Sequence, residues 1–292
     1  MIRDATPGTV SKPVCIEGVG LHSGRTVSIC IRPAPVGTGI VFRRTDIKPG
    51  TGIDPLVPAR WDLVVMSQLC TLIRNAQGVE ISTIEHIMAA FAGCGISNAL
   101  VDIDSAEIPI MDGSASAFVA AIDAAGITDQ KGPARALKIL KPVQVSRPGA
   151  WCRLEPATEM EIDFTIDFSD EIIGHQHMKL TITPQAFSSE LARSRTFCRL
   201  SDVEAMQARG LALGGSIDNS VVVDGERVLT PGGLRWNDEP VRHKILDAVG
   251  DLYLAGAPIM GRFTGMKSGH ALTSSLLKKA FGEDGTVQYL DT

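Results

Sequence analysis

The sequence predicts an α+β fold made of two similar units. Two observations carry this. Strand patterns are followed by helix patterns, and that order occurs twice along the chain. The alternating strand–helix rhythm of a parallel doubly wound sheet is absent. A polar stretch with Gly and Pro, TDQKGPA at 128 to 134, separates the two runs and divides the chain into units 1–129 and 135–292. The halves are unlike in sequence, so the duplication lies in the order of elements.

The first unit opens with PVCIEGV and TVSICIRP around the turn GLHSGR, then GIVFRR, LCTLIR and NALVDID. Its helices are STIEHIMAAF and SASAFVAAIDAAG, the second ending at Gly126 as a C-cap. In the second unit MEIDFTIDF alternates Met160, Ile162, Phe164, Ile166 and Phe168 with polar residues, a half-buried antiparallel strand. LSDVEAMQARG reads as a helix. So does the segment at about 239 to 255, with Pro240 in its first turn. Between them, LALGGSIDNSVVVDGERVLTPGGLRW predicts an apolar strand pair among glycine turns. Two capping boxes are expected, Ser82 with Glu85 and Ser201 with Glu204.

The 292 residues provide ample core, and a net charge of −5 without long like-sign runs argues against nucleic acid as a partner. MIRDATPGTV lacks the apolar run of a signal peptide, and no stretch has the length of a membrane span. A cytoplasmic protein is expected. The six cysteines show no C-x-x-C spacing and read as free buried thiols. Cys15 and Cys30 can face each other across a hairpin, but nothing in the sequence demands a bond.

The chemistry concentrates on a few residues. His243, Asp247 and Asp251 recur every four residues on one face of EPVRHKILDAVGDLYLAG, opposite the stripe Val241, Ile245, Leu246, Val249 and Leu252. A histidine and an aspartate at i and i+4 can grip one ion. An isolated H-x-x-x-D is more often a solvated face, so the pattern needs a third ligand and a base. His86, with Glu85 beside it, is the candidate. It lies off the stripe Ile84, Ile87, Met88 and Phe91, on a face whose small residues Ala89, Ala90 and Gly93 admit close approach. His270 opens the last helix, where an imidazolium is disfavoured unless a carboxylate such as Asp251 restores its pKa. His22 sits in a glycine turn and reads equally as turn residue or cleft lining. His175 and His177 read as a solvated edge.

GVGLHSG, ISTIEHIMAAFAGCGISNA, EIPIMDGSASAF, SRTF, LGGSIDNSVVVD, VRHKILDAVGDL and KSGHAL, in that order from about residue 10 to 281, resemble the UDP-3-O-acyl-N-acetylglucosamine deacetylases of lipid A synthesis. The resemblance implies a zinc-dependent amidase, one Zn2+ per chain. It implies two layered sheet-and-helix domains, each with a small insert, and an active site between them. His86, His243 and Asp247 would be the metal ligands, Glu85 the general base and His270 the general acid, with Asp251 orienting His270. Thr196 would help hold the oxyanion. Lys244 and Lys267 would face the anionic part of an acylated UDP-GlcNAc substrate, with Phe197 and His22 as further substrate contacts. Residues 214–235 would be the insert that forms an apolar passage for the acyl chain. A monomer with transient membrane-surface contact completes the expectation. Two rivals use the same ligands: a non-haem iron facial triad, and a structural metal site in a binding protein, which would favour four cysteine-rich ligands.

Overall fold

The computed structural model describes residues 6–67 and 69–291. The first half is built on a five-stranded sheet in the order Val14–Val19, Thr26–Pro33, Ala99–Ile103, Ile40–Arg44, Leu56–Pro58. The second half holds the strands Val143–Arg147, Ala150–Pro156, Ile259–Met266, Met160–Asp167 and His175–Thr181 side by side, with Arg135–Ile139 and Val287–Asp291 extending the sheet. The same path is traced twice. A hairpin comes first, a second hairpin follows, and a later strand inserts between them. That strand, Ala99–Ile103 or Ile259–Met266, is antiparallel to one hairpin and parallel to the other. Each unit also carries a three-stranded insert: Val64–Val65, Leu72–Arg74 and Glu80–Ser82 in the first, Phe197–Arg199, Val221–Asp224 and Arg227–Val228 in the second. The insert expected at 214–235 thus contains two of those strands and pairs back onto Phe197–Arg199.

The helices are α1 (Glu85–Cys94), α2 (Ser116–Ala125), α3 (Pro184–Ala186, continued by a π-helical turn Phe187–Leu191), α4 (Leu200–Gln207), α5 (Glu239–Tyr253) and α6 (His270–Gly282). The duplication extends to them: α1 precedes and α2 follows the inserted strand of the first unit, as α5 and α6 do in the second. Helices α1 and α5, the corresponding pair, pack against each other. Gly250 of α5 makes this possible, because a Cβ there would strike the Glu85 carbonyl. Gly93 likewise lies against the Phe187 ring. The small-residue face of α1 therefore receives α5 and Phe187. Gly250→Ala is expected to lower Tm: overpacking costs about 1–3 kcal/mol, more than the ~1 kcal/mol that alanine gains in a helix. An unchanged melting curve would show that the helices have room to spare.

Three expectations are corrected. Neither capping box forms. Thr83 turns the chain at φ +58°, α1 begins at Glu85 after Ile84, and Ser82 is spent in the strand Glu80–Ser82 with its hydroxyl on the Ala106 carbonyl. Strand Phe197–Arg199 runs directly into α4, which puts Ser201 inside the helix rather than at its cap. Cys15 and Cys30 form a disulfide, because the hairpin register sets them directly opposite with Cα atoms 4.0 Å apart; Cys70, Cys94, Cys152 and Cys198 are free. The stretch 128–134 begins as strand, since Thr128 and Asp129 belong to Ile127–Asp129 paired with Gly8–Val10. The first half of the MIRDATPGTV reading falls on residues 1–5, outside those described. Among the described residues no helix is long and apolar enough to cross a membrane.

Candidate metal centre and its acid–base pair

Close packing of α1 on α5 brings together side chains far apart in the chain. His86 Nε2 lies 3.5 Å and His243 Nε2 3.2 Å from the same atom, Asp247 Oδ1. The two imidazoles meet edge to face with centroids 4.9 Å apart. Among the described residues this is the group whose ligand atoms lie within 4.8 Å of one another. Glu85, His86, His243, Asp247 and Asp251 are each at most 5% exposed, so the polar face of α5 is not a solvated one.

The donor set fits a divalent ion. Lys244 Nζ takes Asp247 Oδ2 at 2.6 Å, while Oδ1 is buried without any hydrogen-bond partner. An ionised carboxylate oxygen left bare in the interior is costly, and a cation is what two imidazole nitrogens and one such oxygen accommodate. Burial works against ionisation of Asp247, but His243 and Lys244 outweigh it and hold the carboxyl well below its usual range. Burial pushes His243 down to about 4, so its ring is neutral, as a ligand must be. Its Nδ1 donates to the Ser194 carbonyl at 3.0 Å, which leaves the Nε2 lone pair facing Asp247.

Beside this cage stand a buried carboxylate and an imidazole. Glu85 Oε2 accepts the Thr71 backbone N–H at 3.0 Å, and Oε1 lies 3.7 Å from His270 Nε2. Burial raises Glu85 above its ordinary range, with His270 and His86 acting against the rise. His270, first residue of α6, contacts Asp251 Oδ2 through Nδ1 at 2.8 Å. Burial alone would lower its pKa; the charges of Asp251 and Glu85 overcome this and raise it to about 9. Its Nε2, 3.9 Å from Asp247 Oδ2, is the free end and points into the site.

The other candidates are placed as follows. Phe197 sets its ring edge against His243, centroids 6.4 Å apart. Thr196 is fixed by its backbone, its N–H on Gly113 of the first half and its carbonyl on Val221 of the insert. Lys244 points at Asp247, whereas Lys267, at φ +51° in the loop before α6, is exposed and pairs with Asp167. His22 has both ring nitrogens buried without partners; Glu107 holds its backbone N–H, and its carbonyl accepts from Leu213, just before the insert. His175 and His177 lie exposed on the edge strand, His177 paired with Asp163.

Thr71 is a site residue that no sequence motif marks. Its backbone N–H binds Glu85, its hydroxyl donates to Asp251 Oδ1 at 2.5 Å, and that hydroxyl lies 3.2 Å from His270 Nδ1. One residue of the first insert thus joins the carboxylate to the imidazole. Nothing in LCTLIR marks it, because its role depends on a partner 180 positions away.

A buried cage for one ion, flanked by a spare carboxylate and a cationic imidazole, defines the class as metal-dependent hydrolase chemistry. Comparison with known proteins narrows it. Residues 8–281 match the family described as UDP-3-O-acyl N-acetylglycosamine deacetylase, and the chain belongs to that family. Proteins named UDP-3-O-acyl-N-acetylglucosamine deacetylase are similar over nearly the whole length. That of Shewanella frigidimarina is 50% identical over 272 residues, covering 92% of this chain and 88% of the relative. Those of Shewanella violacea and Shewanella oneidensis are each 48% identical with the same coverage.

Proposed function

We propose that this protein removes the N-acetyl group from UDP-3-O-acyl-N-acetylglucosamine, releasing acetate and the free 2-amino sugar nucleotide, the committed step of lipid A synthesis. The observation that carries the reading is the meeting of His86 from one half with His243 and Asp247 from the other. They meet around an unpartnered carboxylate oxygen, with Glu85 and His270 beside it. Family membership supplies the substrate class.

His86, His243 and Asp247 would hold one zinc ion, which would polarise the amide carbonyl and make water acidic enough to attack at neutral pH. Glu85 takes the proton of the attacking water on Oε1, a task suited to a carboxylate raised by burial. A C–O bond forms, and the Thr196 hydroxyl donates to the developing oxyanion. His270, protonated below about 9, delivers its Nε2 proton to the amine as the C–N bond breaks. Asp251 keeps that proton on the ring by accepting from Nδ1. Lys244 and Lys267 meet the anionic part of the substrate beside Phe197 and His22, and residues 214–235 wall the acyl chain. The two repeated units, 1–129 and 135–292, act as a cytoplasmic monomer that meets membrane surfaces only transiently.

The direct test is acetate release from an acylated UDP-GlcNAc with and without chelator. Release that stops on chelation and returns with zinc is expected; release indifferent to chelator overturns the reading. Shortening 214–235 is expected to raise KM for acylated substrate while zinc content is retained. Equal losses on acylated and non-acylated sugar nucleotides would remove the acyl-passage role.

A further inference from the structure

Two side chains one turn apart on α5 grip the same peptide unit. His243 Nδ1 donates to the Ser194 carbonyl at 3.0 Å, and Glu239 Oε1 accepts the Arg195 backbone N–H at 3.0 Å. That carbonyl and that N–H belong to one planar trans amide and point in opposite directions. Glu239 and His243 stand at i and i+4, the spacing that lets one helix face reach both ends of it.

Glu239 is fully buried, first in its helix, and committed to this place. It also receives Arg195 Nε at 2.8 Å, Arg195 Nη2 at 3.0 Å and the Arg235 backbone N–H at 2.6 Å. Arg195, 6% exposed, spends its remaining reach on the Gly233 carbonyl. A buried ion pair of this kind is no sure gain in stability over apolar residues of the same size. What it does accomplish is to fix the 194–195 peptide and polarise it.

We propose that Glu239 is a positioning residue for the metal centre, acting on His243 through the Ser194–Arg195 peptide. This rests on His243 being a ligand. Metal-bound histidines commonly donate their second nitrogen to a carboxylate, which fixes the tautomer and strengthens the ligand. Here a peptide stands between carboxylate and imidazole. The chain Glu239 Oε1···H–N–C=O···H–Nδ1 His243 is a run of hydrogen bonds aligned in one direction, and such runs polarise one another. The negative end of the run presses on the Nδ1 proton, making Nε2 the better donor. The Arg195 guanidinium holds the carboxylate in register.

The test is zinc affinity of the full-length protein, measured by competition with a chelator of known affinity. Glu239→Gln keeps an oxygen for the Arg195 N–H but removes the charge, and its zinc dissociation constant is expected to rise about 10- to 100-fold. Because that variant strands a buried guanidinium and can fail to fold, the decisive protein is the double variant Glu239→Gln with Arg195→Met. A purely structural ion pair would be dispensable there, so wild-type zinc affinity in a double variant that melts like wild type would overturn the proposal. Persistent weak binding in that protein supports it. A second readout is the nitrogen resonances of metal-stripped protein labelled in histidine. The His243 ring, assigned by its loss in His243→Ala, is expected as a single Nδ1–H tautomer in wild type and as a mixture in the double variant. His243→Ala separates the two claims. If that variant binds zinc like wild type, the ligand assignment falls and the proposal with it. If it loses zinc while the double variant binds normally, only the proposal falls.

Discussion

Glu85→Gln is expected to lower turnover by roughly 100-fold or more, the usual share of a general base, while zinc content stays at the wild-type level. The amide oxygen can still accept the Thr71 N–H that now binds Oε2, so the local backbone has no reason to move. What is lost is the ability to take a proton. Stability should hold or rise, because Glu85 is a buried carboxylate whose pKa burial raises and no capping box depends on it. The sign follows: a carboxyl raised in the folded state is easier to carry protonated than ionised, and above its unfolded pKa ionisation works against folding. A neutral amide escapes that cost, although the attraction to His270 goes with it. Acetate release in single-turnover mode, read beside a thermal melt and a metal assay, checks all three. A Gln variant that keeps most of its turnover removes Glu85 from proton transfer.

The second large effect is on the alkaline side of the pH profile. In the proposed mechanism His270 works protonated, and its pKa near 9 sets where that form is lost, so kcat/KM should fall above that region. Asp251 is the foremost of the charges that raise it. Asp251→Asn should move the alkaline limb to lower pH and reduce the rate at neutral pH as well. His270→Gln should abolish the limb together with most of the activity. Zinc occupancy should survive both substitutions, since neither residue is in the proposed ligand set. An alkaline limb unmoved in Asp251→Asn would assign that limb to another group.

Much of this site was legible in the sequence because it is written on helices. His243, Asp247 and Asp251 repeat at four-residue intervals, and that spacing alone aligns them. His86 was legible through its small-residue face, which turned out to receive α5. The architecture showed in the order of elements, though only the strand register reveals how strictly the path repeats. Capping failed for a local reason: Thr83 takes a left-handed backbone that a pattern reader does not assign to threonine. The disulfide failed because cysteine spacing suggests a pairing without fixing the register that permits it. Thr71, Ser194 and Glu239 were out of reach, since they act through contacts to partners as far as 199 positions away, or through a backbone carbonyl that has no letter in the sequence. The iron facial-triad reading uses the same three ligands but gives Glu85 and His270 no task, although they stand 3.7 Å apart beside those ligands.

The central claim, that one ion held by His86, His243 and Asp247 drives deacetylation, is tested most directly by titrating zinc into chelator-stripped protein while following acetate release from acylated UDP-GlcNAc. Almost no release is expected at the start, then a linear rise and a break near one zinc per chain, with no rise in His243→Ala at the same concentrations. Full release before any metal is added, or the same titration curve in His243→Ala, would contradict it.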